Sequence, residues 1–144
     1  MLIAMSASMF LLLAVIGMAF DLGRVYIARN EAQAFTDAAS MAAASQLDGT
    51  AAGLDRARAA VAALPARWNL GSEEFHGVVV DFSSDKQRWE PAPDPDQLTA
   101  LRFARVTAPD NRVEIAFLRA VGGPENFTVP ARAVASTKPV RLAE

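Results

Sequence analysis

The chain has 144 residues, 52% of them hydrophobic, with 14 Lys+Arg against 16 Asp+Glu and no cysteine. That length holds one globular domain with an appendage, and the missing cysteines exclude disulfides, thiol nucleophiles, zinc ribbons and iron–sulfur clusters. A single histidine, His76, has no partner for a His-based metal site, and a net charge of -2 is no electrostatic footprint for nucleic acid.

The charge is unevenly spread. Met1–Phe20 (MLIAMSASMFLLLAVIGMAF) carries no charged side chain. As a helix, 20 residues reach about 30 Å, the thickness of a bilayer's hydrocarbon core. Leu2, Ile3, Phe10, Leu11, Leu12, Leu13, Val15, Ile16 and Phe20 together favour insertion by roughly 3–5 kcal/mol, and Ser6, Ser8 and Gly17 take some of that back. A cleaved signal peptide and a buried core helix are the alternatives. A signal peptide wants a basic n-region, which is missing here, and Gly17-Met18-Ala19 is only a passable cleavage site. Near the run the only basic residues are Arg24 and Arg29, on its C-terminal side. The positive-inside rule read literally therefore puts the rest of the chain in the cytoplasm.

The helical pattern continues past the apolar run. Asp21–Leu47 is rich in alanine, has no proline and contains one glycine, Gly23. Asn30, Gln33, Asp37 and Ser40 form a polar stripe, with Ala28, Ala32, Phe35, Ala39, Ala42 and Ala43 opposite. Asp48-Gly49 is a stop signal. The pattern predicts one helix over residues 1–47, spanning a membrane over 1–20 and amphipathic over 21–47. Its alanine face suits close packing against other helices, as small residues do.

Residues 48–144 read as a small α+β domain. Leu54–Leu64 is an amphipathic helix ended by Pro65. Gly77–Phe82, Leu101–Thr107, Arg112–Phe117 and Phe127–Ser136 have strand patterns, with turns at Pro109-Asp110-Asn111 and Gly122-Gly123-Pro124. Pro91–Pro95 is a rigid extended loop, and Pro130 marks an edge or a bulge. About four strands in one antiparallel sheet, with one helix, are expected.

The motifs are weak. Asp81-Phe82-Ser83-Ser84-Asp85 is close to a metal-binding D-x-S-x-S run, but its fifth residue is Asp; a strand-end turn is the plainer reading. Asp94-Pro95-Asp96 lacks further oxygen ligands, so a solvated loop is expected. His76, beside Glu73 and Glu74, reads as exposed rather than catalytic. Asn126-Phe127-Thr128 is a formal glycosylation sequon. Tyr26 and the Asp21/Arg24 pair, just past the apolar run, read as interfacial anchors or as charges that pair with a neighbouring subunit. No phosphate loop, nucleophile elbow or metal spacing is present, so no catalytic residue, cofactor or enzyme activity is expected.

Phe20–Leu47 (FDLGRVYIARNEAQAFTDAASMAAASQL) resembles the TadE/TadG family of pseudopilins of bacterial tight-adherence (Flp) pilus systems. There an apolar helix leads into D-x-G-R-x-Y and then an Asp-Ala-Ala-rich helix. The matching residues are Asp21, Gly23, Arg24, Tyr26, Asp37, Ala38 and Ala39. Arg105-Val106-Thr107, an aromatic strand before Gly122, and Val129–Ala135 extend the likeness, which is weak from about 50 to 96. Met5 stands where processed pilins commonly carry Glu, and neither a prepilin-peptidase leader ahead of the run nor the large metal-binding domain of many TadG proteins is expected.

The resemblance implies a pseudopilin or minor pilin, anchored in the inner membrane with its domain on the outer side, the reverse of the charge rule. Leu11, Leu12, Leu13 and Phe20 would form the membrane and assembly helix, and Asp21, Gly23, Arg24, Tyr26 and Asp37 the interfacial motif. The implied partners are other pilin or pseudopilin subunits in a filament, the membrane and the pilus assembly machinery, without nucleic acid. A membrane-anchored periplasmic binding domain and a secreted domain with a cleaved signal are the other readings.

Overall fold

The computed structural model describes residues 1–137; the rest of the expected domain span lies outside the described residues. Helix α1, Leu2–Ser45, is the spine of the molecule. Its 44 residues extend about 66 Å. The Gln46 and Leu47 N–H groups close it onto the Ala43 and Ala44 carbonyls, and Gly49, at φ +83, takes the left-handed conformation that redirects the chain. Helix α2, Ala51–Ala62, starts three residues before the predicted Leu54, because Thr50 caps it: the Thr50 hydroxyl accepts from the Gly53 N–H at 3.0 Å. Thr50→Ala is expected to cost about 1 kcal/mol, read as a lower Tm in thermal unfolding.

The domain is α+β, but among the described residues its strands form three antiparallel sheets rather than one. The first is a ribbon of β1 (Arg67–Trp68) and β2 (Glu73–Glu74), joined by a turn with positive φ at Asn69, Leu70 and Gly71. The second, in order β3-β4-β7, joins Val79–Ser83, Phe103–Ala108 and Ala131–Ser136. The third pairs β5 (Arg112–Glu114) with β6 (Asn126–Thr128). The predicted strand Arg112–Phe117 therefore stops at Glu114, and the chain turns into the short helix α3, Phe117–Ala120. The predicted strand Phe127–Ser136 is cut in two at Pro130. Proline cannot donate to a ladder, so β6 and β7 part there into different sheets. Pro95 opens a 3-10 turn, Pro95–Ala100, at the end of the predicted loop.

Two apolar cores are stacked along α1. Ala39, Ala43 and Ala44 meet Leu54, Ala57 and Val61 of α2 and Phe82, Leu98 and Val106 beyond them. Nearer the N-terminus, Ala28 and Ala32 meet Trp68, Phe75, Val113 and Val129. Phe35 bridges the two, stacked on Phe75 with ring centroids 4.4 Å apart. The alanine face predicted for close helix packing is thus covered by this chain's own sheet and α2, whose backbones approach because alanine is small. Ser40, predicted on the polar stripe, is buried; its hydroxyl donates to the Asp37 carbonyl at 3.0 Å, so it enters the core with its polar group satisfied.

Candidate functional site

The part of α1 before Gly17 lies outside both cores. Its large apolar side chains are exposed all round the helix, Leu11, Leu12 and Leu13 included. The 18-residue window of highest mean hydropathy reaches 2.3, and only 6% of it is buried. The hydroxyls of Ser6 and Ser8 donate to the Leu2 and Ala4 carbonyls at 2.9 Å, so neither needs water. So large an apolar surface is stable only against lipid or other protein.

Where this segment enters the folded domain, one carboxylate ties the two together. Asp21 is fully buried, and it accepts backbone N–H bonds from Ala116, Phe117 and Leu118 at 3.1, 2.8 and 2.7 Å. Those are the amides that the start of α3 leaves without a helical partner, and α3 has no side-chain cap of its own. Burial by itself would raise the Asp21 pKa. The bonds from Leu118, Ala116 and Phe117, helped by the Arg24 charge, outweigh it and hold the carboxyl below its ordinary 3.8.

Four residues earlier, one turn away on the same helix face, is Gly17. A Cβ there would stand 2.6 Å from the Cβ of Phe117 and 2.7 Å from its ring, so only glycine lets Phe117 seat on the helix. Phe20 meets the same ring edge-on, with centroids 5.8 Å apart. Gly17→Val should unseat α3 at a cost of about 1–3 kcal/mol. Faster hydrogen exchange at the amides of residues 116–118, with the two cores unchanged, is the expected result.

The residues predicted for the interfacial motif divide by helix face. Asp21 is bonded within the chain, and Arg24 reaches the Glu114 carbonyl at 3.5 Å. Gly23 and Tyr26 face away from the domain; a Cβ on Gly23 would meet nothing within 4 Å, and Tyr26 is exposed. Asp37 is exposed and accepts from Gln33 Nε2 at 2.9 Å. Sequence reasoning missed Gly17, Phe117 and Leu118 as parts of the junction. The available signal was the spacing of Gly17, Asp21, Ala28, Ala32, Ala39 and Ala43, which puts an acidic residue in line with the small, buried ones.

The other motifs have structural uses. Asp81 Oδ2 accepts from Arg105 Nε and a terminal guanidinium nitrogen at 3.0 and 2.6 Å across the β3–β4 pair. Asp85 Oδ1 accepts from the Gln87 and Arg88 amides and closes a turn, and these bonds lower its pKa. His76 and Asn126 are exposed. Among the described residues, no three His, Cys, Asp or Glu are grouped to hold a metal ion.

Against this geometry, a family model described as "Putative Flp pilus-assembly TadE/G-like" (Tad) matches residues 1–46, which is α1 with one residue on either side. It is the family that the D-x-G-R-x-Y block resembles. Among curated proteins and among solved structures, none matches the chain. The likeness to pilus-assembly proteins is thus carried by the helix, its exposed apolar segment and Asp21 included.

Proposed function

We propose that this protein is a pseudopilin or minor pilin subunit of a tight-adherence-type pilus and acts by assembly rather than by chemistry. The apolar half of α1 holds the subunit in the bacterial inner membrane, with the folded domain on the extracytoplasmic side. On assembly the same segment exchanges lipid contact for contact with the helices of other subunits, homologous or identical, and the domain is carried outside the cell in the pilus.

The observation that carries this reading is the abrupt division of α1 between Ile16 and Gly17. On one side every large side chain is apolar and exposed; on the other one face of the helix is buried, at Gly17 and Asp21 under α3 and from Ala28 onward in the two cores. A helix that served only its own domain has no use for the first part. A cleaved signal would not be continuous with a core helix, since removing it would cut beside Gly17 and Asp21, which seat α3. The family match over 1–46 supplies the pilus context.

Shearing surface appendages from native cells and probing that fraction, the membranes and the soluble periplasm tests it. The protein is expected in the membranes and in the sheared filaments with residues 1–20 intact. A soluble form beginning near Phe20, or confinement to the membrane in cells that are making pili, would overturn the subunit role.

A further inference from the structure

The β5–β6 pair is a finger laid along α1. Val113 packs in the core with Ala28, the Glu114 carbonyl is beside Arg24, the amides of residues 116–118 are on Asp21, and Phe117 is on Gly17. As the finger's residue numbers rise, its contacts move toward the N-terminus of α1, so residues 116–124 form the tip nearest the apolar segment. β6 then returns, with Asn126 opposite Glu114 and Phe127 opposite Val113.

The tip overlaps that segment. The uncharged run continues to Phe20, yet Phe117 is already seated at Gly17, one helical turn inside it, or about 5 Å along the axis. A bilayer that covers the run as far as Phe20 therefore covers the level of Phe117 as well. The tip is suited to that level. Phe117 and Val121 are 48% and 49% exposed, and Phe127, on the returning strand, is exposed too. Its one charged side chain, Arg119, pairs at 3.1 Å with Glu125, the residue that follows the tip. The start of α3, whose bare amides would be costly away from water, is satisfied by Asp21, and Asp21 is satisfied in turn.

We infer that the α3 tip is a second membrane contact: with the subunit stored in the bilayer, Phe117 and Val121 enter the boundary between headgroups and acyl chains and set the height and tilt of the domain on the membrane surface. This rests on the membrane placement of α1 proposed above. The contact is released when the subunit leaves the bilayer, which frees the same apolar tip in the assembled filament.

The lack of native cysteine makes single-site labelling clean. Three variants of the full chain, Leu12→Cys, Val121→Cys and Ser84→Cys, each carry an environment-sensitive nitrobenzoxadiazole dye. They are reconstituted in phosphatidylethanolamine/phosphatidylglycerol vesicles with bromine placed shallow or deep in the acyl chains. Ser84 follows β3 beside the core far from the tip and is exposed. The expected result is loss of fluorescence at Leu12 with deep bromine, loss at Val121 with shallow bromine, and none at Ser84. Quenching at Leu12 with Val121 behaving like Ser84 overturns the tip contact and leaves the anchor standing. No quenching at Leu12 overturns the anchor, and the tip contact with it.

Discussion

Asp21→Ala is expected to detach α3 from α1 and to destabilise that region by about 3 kcal/mol. The carboxylate answers three backbone donors at once, and alanine would leave all three without an acceptor. The loss should be local first, with fast hydrogen exchange at residues 116–118 while the β3-β4-β7 sheet stays protected, and only then a lower Tm. Asp21→Asn keeps an acceptor oxygen but not the charge, and belongs between the wild type and alanine.

Acid should reproduce the defect. The folded-state pKa of Asp21 is lowered, so its contribution is complete above the ordinary carboxylate value near 3.8 and fades as pH falls below it. Protection at 116–118 should decline as pH falls below about 4 in the wild type and show no such step in Asp21→Ala. Asp48 is held at about 2 by Thr50, whose hydroxyl and amide both bond it, and by Arg56, so its contribution at the start of α2 is expected to fade as pH falls from the ordinary 3.8 through about 2.

Leu12→Arg is expected to expel α1 from the membrane. Exchanging leucine for arginine at the centre of a spanning helix costs about 3–4 kcal/mol on the insertion scale, as much as the roughly 3–5 kcal/mol by which the nine large apolar residues of the run favour insertion. The two nearly cancel, so a single substitution should decide the location. Because Leu12 is exposed, the domain should fold as before. The measurement is resistance to alkaline carbonate extraction: retained in the wild type and in Leu12→Val, lost in Leu12→Arg. Retention of Leu12→Arg in the carbonate-washed membranes would mean that the segment is held by something other than lipid.

What was legible in the sequence follows from the range of the forces. Helix α1 was readable almost to its last residue, because alanine propensity, hydropathy and the Asp48-Gly49 stop act locally and agree over 44 residues. The strands at 79–83 and 103–108 were readable for the same reason, since their apolar runs or alternation lie within a few neighbours. Pairing was not. Nothing local shows that β5 leaves the sheet of β4 and takes β6 instead, and strands of two residues such as β1 and β2 have too few positions to display a period. The junction was the least legible part of the site. Asp21 reads as a charge at a membrane edge, and its true partners are amides 95 to 97 residues away. Ser40 escaped because a serine that bonds its own helix can be buried as readily as an alanine.

The central claim is that the exposed half of α1 packs against helices of other pilus subunits when it leaves the bilayer. The direct measurement is photo-crosslinking in pilus-forming cells from a benzophenone amino acid at Leu12, with a second probe at Ser84 as reference. The expected result is an adduct with another pilin-family chain from Leu12, in the sheared filament fraction and not from Ser84. Lipid adducts alone from Leu12, in cells that are assembling pili, would contradict it.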